Sequence, residues 1–229
     1  MTDLFEQAKR SAGRAAANLV ESGMRVGLGS GSTFLHALDR LAERQREEVL
    51  EILGVATSET TAARARELGI PLSSLDELER LDIAIDGADE IDADRNMIKG
   101  GGAALAREKI VAAAAGEMVV VVGENKIVDV LGRAFPLPVE VLPFGWRQAA
   151  ATLKTLGCEP MLRRGKGGTP HTTDNGNYIV DCKFEEIPDP VELSACVNSV
   201  PGVVENGLFT GLAGRVFIGN NDGEVRSLE

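Results

Sequence analysis

Histidine, cysteine and long apolar runs are scarce in this chain, and each scarcity removes a class of function. Only His36 and His171 occur, in no HExxH or clustered arrangement, which argues against a histidine-ligated metal. Cys158, Cys182 and Cys196 are an odd set without CxxC spacing. Neither a disulfide framework nor a zinc site is expected, and the thiols read as reduced and partly buried. No apolar run approaches the roughly 20 residues that a membrane span requires, so no membrane partner is expected. The first ten residues run into an amphipathic pattern and show no charged start, apolar stretch and cleavage site. The expectation is a chain without a secretory signal, in the cytoplasm.

Basic charge is also in short supply. The formal net charge is −11, which disfavours nucleic acid, because backbone binding depends on lysine and arginine neutralising phosphates. Arg163, Arg164 and Lys166 form the one local basic run, read as a loop of solvated charge. Seven of the 24 basic residues are lysines, and an acidic, lysine-poor surface would suit a high-salt cytoplasm.

What is present is 229 residues, 44% hydrophobic, enough for one sizeable domain or two unequal ones. Helical spacing of Leu4, Ala8, Ala12, Ala15, Ala16 and Leu19 predicts a first helix, stopped by Ser22-Gly23. Strands are then expected at 24–28, 51–56, 81–85 and 118–122, alternating with helices at 34–46, 59–68 and 103–115. That alternation predicts an α/β fold with a parallel sheet covered on both faces. After Leu131 the prolines at 136, 138 and 143 mark a change of character. The elements expected there are strands at 139–142, 159–163 and 178–184 and helices at 147–156 and 190–200, a small α+β domain. Segments 203–209 and 215–218 are expected to return to the first sheet. The division expected is therefore 1–131 plus 204–229 for the large domain and 132–203 for the small one.

Two stretches carry chemistry. Gly27-Leu28-Gly29-Ser30-Gly31-Ser32-Thr33 lies between a predicted strand and a predicted helix, where backbone N–H groups and the helix dipole favour an anion. It lacks the lysine of a P-loop and the third glycine of a dinucleotide loop, so no nucleotide is required. A tight turn with Ser32 or Thr33 capping the helix accounts for it as well. The second stretch places Asp86 at the carboxyl end of a strand with Asp89 three residues on, where open α/β sheets bind ligands. An Asp86-Gly87 turn capped by Asp89 is the bland alternative. Thirteen residues after Asp86 comes Lys99-Gly100-Gly101-Gly102, then a helix carrying Glu108 about a turn and a half in. Three consecutive glycines are costly unless a backbone must come close to something.

Asp86, Asp89, Lys99 and Glu108 together suit proton transfer beside a carbonyl. Abstracting the C2 proton of an aldose leaves an enediolate, whose oxygen needs a cation or hydrogen-bond donors. Lys99 and the glycine-loop amides are candidates for that role, and Glu108 near Asp86 or Asp89 for the base. This chemistry demands neither a metal nor an organic cofactor.

The blocks GLGSGST, DGADE, MIKGGGAALAREK, FPLPVEV and TDNGN, in this order across essentially the whole chain, resemble the type A ribose-5-phosphate isomerase family. The resemblance implies cofactor-independent interconversion of ribose 5-phosphate and ribulose 5-phosphate in the pentose phosphate pathway. It implies Glu108 as proton acceptor, Asp86 and Asp89 as proton handlers at the sugar oxygens and in ring opening, and Lys99 as oxyanion partner. Substrate contacts are implied at Ser30, Gly31, Ser32, Thr33, Gly87, Ala88, Gly100, Gly101, Gly102 and Lys126, with Lys9 at the phosphate. The implied fold is a CoA-transferase-like large domain plus a ferredoxin-like small one, assembled as a homodimer or homotetramer. Two departures from the family pattern stand out: Ser30 where threonine is frequent, and a longer connection over Arg163–His171. A non-catalytic sugar-phosphate sensor would need no base, so Glu108 and Lys99 argue against it. An acyl or CoA transferase is suggested by fold analogy alone.

Overall fold

The computed structural model describes residues 2–228, with side chains from residue 5 onward. Leu4, expected on the apolar stripe of the first helix, has its side chain outside that range. In chain order the elements are α1 (Thr2–Ala17), β1 (Arg25–Leu28), α2 (Ser32–Glu47), β2 (Leu53–Ala56), α3 (Glu59–Glu67), β3 (Leu81–Asp86), β4 (Glu90–Ile91), β5 (Met97–Ile98), α4 (Leu105–Ala114) and β6 (Ala115–Gly123). There follow β7 (Leu137–Val141), α5 (Trp146–Lys154), β8 (Glu159–Leu162), β9 (Tyr178–Lys183), α6 (Pro190–Asn198), β10 (Val203–Asn206), β11 (Leu208–Phe209), β12 (Ala213–Gly219) and β13 (Val225–Leu228). No helix among the described residues is long and apolar enough to cross a membrane.

The chain forms two compact units. The first comprises Met1–Ala88, Arg107–Lys126 and Leu212–Glu229. Its six-stranded sheet runs β13-β12-β6-β3-β1-β2, parallel throughout except for the edge strand β13. The central strand β6 buries the run Val119–Val122 on both faces, as a parallel sheet covered by helices requires. Ala12, Ala16 and Ala17 of α1 pack with Ala37, Leu38 and Leu41 of α2, where small side chains let the elements approach closely. From β1 the chain steps outward to β2, then crosses back to place β3 on the other side of β1. The sheet thus has a topological switch point between β1 and β3, and ligand crevices form at the carboxyl ends there.

The second unit comprises Asp89–Ala106 and Ile127–Gly211. Its β7-α5-β8-β9-α6-β10 succession builds an antiparallel sheet in the order β10-β7-β9-β8. Val139, Val141, Val180 and Cys182 meet Ala149, Leu153 and Val197 from the two helices in its core. A three-stranded sheet, β11-β5-β4, completes the unit.

This division differs from the boundaries expected at 131/132 and 203/204. Segment 89–106 joins the second unit because the β4–β5 hairpin is laddered to β11, pairing Met97 with Phe209 and Ile98 with Leu208. For the same reason 203–209 does not return to the first sheet, whereas β12 does. The thiols also divide: Cys158 and Cys182 are buried and Cys196 is exposed.

Candidate active site

Within the first unit the switch point gathers the phosphate-loop candidate and Asp86. The parallel register of β1 with β3 sets Leu28 beside Ile85, so the residues that follow each strand emerge together. Ser30 N and Gly87 N donate to one oxygen of Asp86, Oδ1, at 2.9 and 2.8 Å. The carboxylate, 3% exposed, is thereby fixed against the loop. Gly31 holds a positive φ of 87° and is the N-cap of α2, with no side-chain cap on the helix. Ser32 and Thr33 are therefore the first helical residues rather than caps, and the N-terminal amides of α2 keep their anion-attracting character.

Glu108 lies in the first turn of α4, fourth in the helix, and not a turn and a half in as expected. Ala103 and Ala104 precede the helix: Ala103 has φ 62° and its N–H closes a turn onto Gly100 O at 2.9 Å. Glu108 is 6% exposed and borders, with Gly29, Thr57, Asp86 and Met118, a packed interstice too narrow for a water molecule. Two of the four expected chemical residues thus lie buried near one another in this unit.

Sequence reasoning missed the hydroxyl cluster beside them. Ser30 Oγ lies 2.8 Å from Thr57 Oγ1 and donates to Ser58 Oγ at 3.0 Å. Thr61 Oγ1 donates to Gly29 O at 2.8 Å, and Ser58 caps α3 by accepting from Thr61 N. A Thr-Ser pair before a helix was a visible N-cap signal, but its approach to the 29–33 loop depends on β2 pairing with β1. Lys126 ends a short 3₁₀ turn after β6 and is half-buried. Lys9 pairs with Glu6 Oε1 at 2.7 Å, and Glu6 Oε2 lies 3.2 Å from His36 Nε2. These contacts hold the Glu6 carboxyl below the usual range, chiefly through the Lys9 hydrogen bond.

Within the second unit the β4–β5 hairpin unites Asp89 with Lys99. It pairs Glu90 with Ile98, and the same register extended by one residue sets Asp89 opposite Lys99. Asp89 N donates to Ile98 O at 2.8 Å, and Gly101 N donates to Asp89 Oδ2 at 2.7 Å. Lys99 is 3% exposed; its N–H reaches Gly207 O at 2.9 Å and its Nζ stands 5.4 Å from the centre of the Phe209 ring. Gly100 is buried, whereas Gly101 and Gly102 are exposed. The acid next to Asp89 has a different task. Glu90 is buried and accepts from Gly132 N, Ala134 N and Phe135 N at 2.7, 3.0 and 2.7 Å, which anchors β4 directly after Asp89. Among the described residues no three of histidine, cysteine, aspartate and glutamate are grouped as a metal site requires.

A mostly parallel sheet, with two buried carboxylates at its switch point beside an uncapped helix start, defines an α/β enzyme suited to acid–base chemistry on an anionic ligand. The particular family follows from comparison with known proteins. The model of ribose 5-phosphate isomerase A (phosphoriboisomerase A) matches residues 53–223. Ribose-5-phosphate isomerase A of Thermosynechococcus vestitus is 50% identical over 219 residues, 95% of this chain and 93% of that protein. The structure of ribose 5-phosphate isomerase A from Methanocaldococcus jannaschii superposes with a TM-score of 0.92 at 43% identity, covering 96% of this chain and 97% of that one. A D-ribose-5-phosphate isomerase in complex with phospho-erythronic acid superposes with a TM-score of 0.93 at 41% identity, over 96% and 97% of the two chains. The chain belongs to the ribose 5-phosphate isomerase A family.

Proposed function

We propose that the chain interconverts ribose 5-phosphate and ribulose 5-phosphate in the pentose phosphate pathway, with Glu108 as the base. Glu108 takes the C2 proton of the open-chain aldose, the C–H pair forms the C1–C2 double bond, and the carbonyl pair retreats to O1. Lys99 and glycine-loop amides stabilise that oxyanion, as preorganised donors do for charge that develops in a transition state. Asp86 and Asp89 move protons between O1 and O2 and assist ring opening. Return of the proton to C1 by Glu108, with loss of the O2 proton, gives the ketose. Ser30, Gly31, Ser32 and Thr33, together with Gly87, Ala88, Gly100–Gly102, Lys126 and Lys9, are assigned to substrate binding. No metal or organic cofactor takes part in this scheme.

The observation that carries the proposal is the burial of Asp86 and Glu108 near one another beside the β1/β3 switch point. A sensor of sugar phosphates has no use for a buried glutamate there. The reading extends to a CoA-transferase-like first unit, a ferredoxin-like second unit supported by its β-α-β-β-α-β succession, and a cytoplasmic homodimer or homotetramer. The test is a coupled assay of ribose 5-phosphate conversion with chelator present. Glu108→Gln is expected to lower turnover by about two to four orders of magnitude, the weight of a general base, while ligand affinity holds. Near-normal turnover would sink the assignment.

A further inference from the structure

The glycine loop is braced from the antiparallel sheet by a residue outside every block that carries the family likeness. Arg163 directly follows β8 and, contrary to the solvated charge expected of the 163–166 run, is 17% exposed. Its guanidinium forms a fork on Asp181 of β9, Nε to Oδ2 at 2.9 Å and Nη2 to Oδ1 at 2.5 Å. The remaining nitrogen, Nη1, donates to two loop carbonyls, Gly100 O at 2.8 Å and Gly101 O at 3.0 Å.

A planar trans peptide points its C=O and N–H in opposite directions. The peptide that offers Gly100 O to Arg163 therefore directs the Gly101 N–H the other way, onto Asp89 Oδ2 at 2.7 Å. Asp181, Arg163, the Gly100–Gly101 peptide and Asp89 form one chain of hydrogen bonds. Gly100 has a φ of 105°, in a region where glycine turns freely, so the loop backbone has alternatives that this chain excludes. A lysine has no planar fork and cannot hold a carboxylate and two carbonyls in the same geometry.

We propose that Arg163, held by Asp181, is a positioning residue of the isomerisation: it fixes the Gly100–Gly101 peptide, and through it the Asp89 carboxylate and the loop that follows Lys99. The proposal deepens the isomerase reading and rests on it.

The test compares the wild-type chain with Arg163→Ala, Arg163→Lys, the Arg163→Ala/Asp181→Ala double variant, and Arg164→Ala. Arg164 donates to Gly168 O and serves as the control guanidinium, expected to leave turnover unchanged. Arg163→Ala should lower kcat about 10- to 100-fold, the effect of a small misplacement of reacting groups, with KM moved less than about threefold. Inhibition by phospho-erythronic acid, whose carboxylate resembles the enediolate, should weaken in step with kcat/KM. Arg163→Lys should be intermediate, and added guanidinium ion should restore part of the activity of Arg163→Ala. The double variant removes the carboxylate left unpaired; its thermal midpoint should recover while kcat stays low. A kcat within about twofold of wild type in Arg163→Ala, or a kcat that recovers with the thermal midpoint in the double variant, overturns the proposal. If both alanine variants fail to fold, wild-type kcat in Arg163→Lys overturns it. Amide hydrogen exchange separates this inference from the activity itself: Arg163→Ala should speed exchange at Gly101, and unchanged exchange defeats the positioning role. An inactive wild type with that faster exchange would defeat only the isomerase reading.

Discussion

At the scale of single residues the site depends on how little space its carboxylates have. Gly29 follows β1 where a Cβ would sit 2.3 Å from Asp86 Cγ and Oδ1 and 2.5 Å from Ile85 O. The glycine is present because the loop must pass against the acid, close enough for Ser30 N to donate to it. Gly29→Ala should therefore push Asp86 off the two amides that orient it, costing about 1–3 kcal/mol of stability as overpacking does. Turnover should fall further than stability explains, since misplaced catalytic groups lose about a factor of a hundred per ångström. Urea unfolding and steady-state kinetics on the same preparation check this. An alanine variant with wild-type turnover would mean that Asp86 need not stand where it does.

At the scale of elements, much of the first unit was legible because its signals are local. The alanine stripe of α1 repeats at helical spacing, the unbroken valine run of β6 marks a strand buried on both faces, and Asp86 closes the apolar run of β3. The short strands β4, β5 and β11 carry no period, being two residues each. The local β4–β5 hairpin joins Asp89 to Lys99, but the pairing of β5 with β11 that draws 89–106 into the second unit is made with a partner more than a hundred residues on. The start of α4 was misplaced because Ala103 and Ala104 have high helix propensity, while the positive φ of Ala103 follows from the turn on Gly100. Arg163 was illegible as a brace for a similar reason: its acceptors lie in a loop more than sixty residues earlier. Glu90 shows the same dependence. Its carboxylate ties three backbone amides of 132–135 to β4, and an amide in its place would turn an NH₂ toward at least one of those donors. Glu90→Gln should cost about 3 kcal/mol, the penalty for leaving one or two buried donors unsatisfied. A shift in the urea midpoint with unchanged m-value would register it, and no shift would refute the clamp.

At the scale of the whole molecule, acid stability follows from where the paired carboxylates sit. Glu6, Glu43, Glu48, Glu77 and Glu117 all titrate below the ordinary glutamate range, chiefly through side-chain hydrogen bonds to Lys9, Arg14, Arg44, Ser73 and Arg215 respectively. All five belong to the first unit. Glu117 is the best enclosed of them, gripped by Arg215 through Nε at 2.7 Å and Nη2 at 2.6 Å across the β6–β12 pair. A carboxylate with a depressed pKa in the folded state contributes stability above its unfolded pKa and loses it as pH falls through the folded value. Two effects therefore oppose each other on acidification. From pH 7 toward the pI near 4.8, neutralising a net charge of −11 relieves self-repulsion and offsets early losses. Below roughly pH 4, where unfolded glutamates are protonated, the pairs are lost and the net charge turns positive, so both effects then favour unfolding. The urea midpoint should hold or rise slightly from pH 7 to 5 and drop steeply below 4. Arg215→Met, which keeps the stem but removes the partner of Glu117, should flatten that drop. Salt should weaken the contribution of the exposed Glu6 and Glu48 pairs while leaving the partly enclosed Glu117 pair less affected. A midpoint that declines evenly from pH 7 downward, unaltered by Arg215→Met, would assign acid sensitivity to net charge alone.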